Sequence, residues 1–130
     1  MPKLAAFSTS VVVTLLLAAI SYAGGSATSN KWRIEMSGQA LTTGEILFRV
    51  TPRQGESVDV SVGIKSGRAE NNVAKDVRDA FAAKLSPERY TVEVDDGEDI
   101  LIKKKEGQPD FALELIDADV QNVSIKIEGE

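Results

Sequence analysis

The sequence predicts an α+β fold: one amphipathic helix packed on a mostly antiparallel sheet of about six to seven strands, in the order β-β-β-α-β-β-β-β, preceded by a signal peptide. Three observations lead there. Across residues 70–85, valines, alanines and a phenylalanine recur at helical spacing. On both sides of that stretch, short segments alternate apolar and polar residues with the period of a strand. A single helix has no second helix against which to bury its stripe, so a sheet must supply the surface.

The N-terminal region comes first in the chain. Lys3 and the free amino group give a weakly positive start, and an uncharged run follows, densest across residues 11–20. Ser21-Tyr22-Ala23 then puts small residues where a signal peptidase inspects them. Residues 1–23 are therefore expected to be a secretory signal peptide cleaved after Ala23, with Ala27 as a second cut site. The apolar run is short for a membrane span and is diluted by Ser8, Thr9, Ser10 and Thr14. No stable membrane anchor is expected after cleavage. A retained anchor is the alternative, because no charge interrupts the chain from Leu4 to Asn30. The expected location is secreted or periplasmic. Residues 24–30 are all small or polar and suit a flexible leader, which leaves residues 31–130 as a single α+β domain.

Residues 31–36 alternate, with Trp32, Ile34 and Met36 on one face and Trp32 read as a lid on the core. Gly38 and Thr42-Thr43-Gly44 provide a turn or an irregular return. Residues 45–51 turn Ile46, Phe48 and Val50 inward and leave Leu47 on the outer face; Pro52 and Gly55 close the segment. Residues 57–65 alternate most strictly, with Val58, Val60, Val62 and Ile64 on one side. In the helix, Val73, Ala74, Val77, Ala80, Phe81 and Leu85 form one stripe, Ala69 is a poor cap, Asn71 a better one for a later start, and Pro87 stops the helix. A right-handed crossover would make the two strands flanking the helix parallel. Residues 90–94 and 99–105 form a hairpin around Asp96-Gly97, with Ile100 and Ile102 inward. Residues 111–116 turn Phe111, Leu113 and Leu115 inward, and residues 123–127 make a last strand. So many strands leave the sheet room to curl or split.

Composition narrows function by exclusion. The chain of 130 residues carries no cysteine and no histidine. Disulfides, thiolate chemistry, the usual zinc sites and histidine acid–base catalysis are therefore absent from its repertoire. No cofactor is implied. The net charge is −5 and the one basic cluster is Lys103-Lys104-Lys105, so nucleic acid is not an expected partner. That cluster reads best as an offset to the neighbouring acids and a protected strand edge. Asp95, Asp96, Glu98 and Asp99 form the densest chemical feature. Four carboxylates on a turn offer the oxygen ligands calcium prefers, yet the spacing is not an EF-hand, and an Asp-Gly hairpin explains the same residues. Ser66-Gly67 before the helix has the makings of an anion site but lacks a longer glycine-rich loop. Asn122-Val123-Ser124 matches a glycosylation triplet.

The expectation is an exported, small, non-enzymatic domain of the cell envelope or medium. It would bind a protein partner, or itself, through strand edges. One alternative is a calcium-binding module using the Asp95–Asp99 turn. The other is a small carboxylate-dependent hydrolase.

Overall fold

The computed structural model describes residues 27–130; the expected signal peptide, residues 1–23, and residues 24–26 of the leader lie outside the described residues. Seven strands and one helix follow the expected order: β1 (Lys31–Ser37), β2 (Gly44–Pro52), β3 (Val58–Ile64), α1 (Glu70–Lys84), β4 (Tyr90–Asp95), β5 (Asp99–Lys104), β6 (Phe111–Ala118) and β7 (Ser124–Gly129).

The strands form two sheets rather than one, ordered β4-β5-β1-β7 and β3-β2-β6, and every strand pairing is antiparallel. The strands flanking the helix, β3 and β4, thus sit in different sheets, and the parallel crossover is not formed. Dimensions give the reason. Seven strands side by side would be roughly 34 Å wide at about 4.8 Å each, whereas a helix covers about 10 Å. One helix cannot cover such a face. Two sheets turned toward each other cover one another, and the helix is needed only where they part.

Ile34, Met36, Ile100 and Ile102 from one sheet, and Ile46, Phe48, Val50, Val60, Val62 and Ile64 from the other, are buried in one core. The helix adds Val73, Ala74, Val77 and Phe81. It packs mainly against β3 and β4, the end strands of the two sheets. The Phe81 ring lies 5.1 Å from that of Phe48 in the middle of β2, so the helix reaches well inside the open side. Its N-cap is Ala69, with no side-chain cap. The first turn is braced instead by Arg68, which donates two bonds to Asp76 at 2.7 and 3.0 Å. At the other end Leu85 N–H donates to Phe81 C=O, and the chain turns extended before Pro87.

Phe111, the first residue of β6, ties the sheets together. Its carbonyl accepts from Ser29 N–H at 2.9 Å and from the Trp32 indole at 2.8 Å, and its own N–H donates to the Ser29 carbonyl. The Tyr90 ring meets the Phe111 ring edge-on at 5.1 Å. Trp32 is buried, as its register with Ile34 and Met36 implies. Ser29, expected in a leader without structure, is held by an isolated bridge, and Asn30 bends the chain into β1.

At the other end of the molecule the β1–β2 connection runs against the β6–β7 connection. A Cβ on Gly44 would stand 1.9 Å from the Asp119 carbonyl oxygen, and one on Gly38 would stand 2.0 Å from that of Asn122. Gly38 also has φ +95°, a region open to glycine at no steric cost. The side chain of Asn122, part of the glycosylation triplet, donates to Gln39 C=O at 2.9 Å. Ser66 and Gly67 spend their N–H groups on the Thr43 hydroxyl and the Ala40 carbonyl.

Leu115 departs from its expected inward burial. It sits opposite Phe48, on the inner face by register, yet it is 37% exposed. The register of β6 on β2 shifts between Leu47 and Phe48, where Asp117 and Leu115 are the successive partners. Ile116 is the extra residue of this bulge and is also exposed.

Candidate functional site

The four hairpin carboxylates do not act as one group. Asp95 and Asp99 are the last opposed pair of β4 and β5. Both reach the Arg33 guanidinium, at 3.1 and 2.9 Å, and Glu130 meets the same side chain at 2.8 Å. Arg33 stands on the outer face of β1, opposite Leu101 of β5 and Glu128 of β7. Antiparallel pairing on both sides of β1 therefore brings three acids, two from the β4–β5 hairpin and one from the end of β7, onto one cation. Glu130, then Asp95 and Asp99, push the Arg33 pKa upward, and Arg33 holds the Glu130 carboxyl below its ordinary value. Asp96 and Gly97, at the tip, both have positive φ, 54° and 80°, a conformation that Asp and Gly adopt more readily than other residues. Glu98 lends its backbone carbonyl to Met36 N–H. Among the described residues, no three histidine, cysteine, aspartate or glutamate side chains are grouped to hold a metal ion.

The lysine cluster does not face these acids, contrary to the expected offset. Lys103 pairs with Glu93 of β4, and Lys104 turns to Asp110 and the Gln108 carbonyl in the β5–β6 connection. The register of β5 explains this: Lys103 lies opposite Thr91 and Lys31, far along the strand from Asp99.

A half-open cleft of about 360 Å³ lies at the end of the four-stranded sheet, bordered by Glu35, Glu70, Glu98, Asp99 and Lys126. Glu70 accepts Gly38 N–H at 3.0 Å, Asp99 is held by Arg33, and Glu35 stands opposite Lys126. The cleft is mixed in charge, and Glu70 and Asp99 already serve structural partners.

The strand edges are the other candidate, and backbone polarity defines them. Glu130 N–H donates to Lys31 C=O. With Trp32 opposite Gly129, this makes Arg33–Glu128, Glu35–Lys126 and Ser37–Ser124 the hydrogen-bonded pairs of the alternating antiparallel ladder. Met36 N–H donating to Glu98 C=O on the other side of β1 agrees with that parity. Consequently Ile125, Ile127 and Gly129 direct their N–H and C=O groups away from β1. On β6, Phe111 bonds outward to Ser29, so by the same alternation Leu113 and Leu115 also direct their backbone groups away from β2. β6 and β7 make only slight contact with each other. Ile125 and Ile127 are half-buried along this seam. The sequence invokes strand edges without locating them, because alternation reports the face of a strand and not whether a neighbour pairs beyond it. Among known proteins, no family model and no curated sequence matches this chain.

Proposed function

We propose that the protein is an exported, non-enzymatic binding module of the cell envelope or medium that engages another macromolecule on the side where β6 and β7 end the two sheets. One observation carries this reading: α1 covers the opposite side, while β6 ends its sheet with outward backbone groups and with Leu115 and Ile116 exposed beside them. Unpaired strand groups next to exposed apolar side chains are the features that an added strand uses, the backbone giving affinity and the side chains giving selectivity. Export rests on the uncharged N-terminal run and the Ser21-Tyr22-Ala23 cut site.

The test places a photo-crosslinking residue at Ile116 in one variant and at Lys75, on the exposed face of the helix, in another. Both are expressed in cells with the natural leader. A discrete adduct from position 116 and none from position 75, in a protein fractionated outside the cytoplasm with its leader removed, is the expected result. Equal labelling from both positions, or a chain retained in the cytoplasm, contradicts the proposal.

A further inference from the structure

From the polarity and charge order of β7 we infer that its outer edge, unpaired among the described residues, takes the β7 edge of a second copy, antiparallel about a twofold axis at Ile127, joining two four-stranded sheets into one of eight strands. The inference rests on the reading of the open side as a contact surface and names one occupant for one of its edges.

Backbone polarity restricts the possible registers. The outward groups belong to Ile125, Ile127 and Gly129, and an antiparallel partner must meet outward groups with outward groups. In a twofold pairing the axis must then pass through a residue, not between two. Centring on Lys126 sets that lysine against its own copy, and centring on Glu128 does the same for the glutamate, in both cases a directly opposed like-charge pair. Centring on Ile125 leaves Lys126 facing Ser124. With the axis at Ile127, Lys126 faces Glu128 of the second copy and Glu128 faces its Lys126. These fall at the positions without direct backbone bonds, where opposed side chains stand closest. Ile127 exchanges backbone bonds with its own copy, and Ile125 with Gly129. Within one chain, Lys126 and Glu128 already meet at 3.2 Å on the outer face of β7, so both side chains are on the face where the new pairs form.

The other edges fit a second copy less well. β6 is occupied at Phe111 by Ser29 and interrupted by the bulge at Ile116, and a twofold axis at Glu114 would oppose two carboxylates. β3 and β4 lie under α1. On β7 the inner-face residues Ile125 and Ile127 are half-buried against the core, and a paired strand would complete their burial. Such pairing is the hazard that a regular, uncovered edge presents, here given a specific register by charge.

Sedimentation and light scattering over a range of concentrations, on the chain without residues 1–23, test the pairing. Wild-type protein is expected to rise from one copy toward two with concentration. Lys126→Glu and Glu128→Lys are each expected to abolish that rise, because each creates two like-charge pairs across the axis. An equimolar mixture of the two variants is expected to restore a dimer. One chain then presents acids at both positions 126 and 128, the other presents lysines at both, and each acid faces a lysine across the axis. Thermal melts of each variant check folding, and a restored dimer in the mixture itself shows both are folded. A wild-type chain that stays single at every concentration overturns the inference, as does a mixture that stays single while both variants melt cooperatively. Crosslinking from Ile116 to another protein by a chain that stays single would leave the proposed binding function standing while this inference falls.

Discussion

Each sheet has an end strand on either side of the molecule, and the two sides are treated differently. On one side, α1 lies across β3 and β4 and drives Phe81 in toward Phe48. Val73, Ala74, Val77 and Phe81 are buried there. On the other side, β6 and β7 hold together at their ends, through Phe111 with Ser29 and through the contacts at Gly38 and Gly44, while Leu115, Ile125 and Ile127 stay partly exposed between. The helix side is where apolar area is removed from water, the dominant source of folding free energy. The strand side contributes less and keeps backbone groups available. Stability and the proposed contact surface thereby fall on opposite sides of one core.

Breaking the helix side should cost most. Phe81→Ala is expected to lower unfolding free energy by about 3–5 kcal/mol, the range for buried aromatic truncation, and Phe81→Asp should prevent folding by burying a charge. Leu115→Ala on the strand side should cost about 1 kcal/mol or less, because the residue is already part-solvated. Urea unfolding of the three variants measures the contrast. Similar costs for Phe81→Ala and Leu115→Ala would mean that the two sides do not differ as described.

The ties at the ends of the seam come next. Gly44→Ala places a methyl group against the Asp119 carbonyl and should cost about 1–3 kcal/mol, as overpacking does. Trp32→Phe removes the indole donor to the Phe111 carbonyl and should cost about 1–2 kcal/mol, since that acceptor keeps only its Ser29 partner. Denaturant midpoints read both. If either substitution is neutral, the corresponding end is held by something other than the contact named.

The smallest expected effect is acidic pH. Asp59 is held below its ordinary pKa by Arg49, and Glu130 by Arg33. A carboxylate lowered in the folded state contributes stability that is complete above its unfolded pKa and is lost as pH falls through the folded value. Both groups are exposed, so screening keeps the effect small. The melting temperature should hold from neutral pH down to the ordinary carboxylate range and decline below it. Arg33→Gln should flatten the part due to Glu130.

Strand faces and the helix were legible because burial imposes a period on side chains, and residues such as Val60, Val62, Val77 and Phe81 carry that period plainly. Three things were not legible. Which strands end a sheet depends on partners distant in sequence, so Leu115 reads as core although β7 does not pair beyond it. The partners of Asp95 and Asp99 depend on the register of β1 against β5 and β7, which puts Arg33 between them and Glu130; no local pattern contains that information. Ser29 is a third case. Its bonds to Phe111 use backbone groups only, and a serine in a small-residue stretch gives no sign of them.

Residue-resolved amide hydrogen exchange along β7, in dilute protein, tests the central claim most directly. The account predicts alternation: Lys126 and Glu128, bonded to β1, exchange slowly, while Ile125 and Ile127, directed outward, exchange fast. Raising the concentration should slow Ile125 and Ile127 as the edge pairs. Uniform slow exchange of all four amides in dilute protein would show that this edge is already covered within one chain, and would contradict the division between a closed side and an open one.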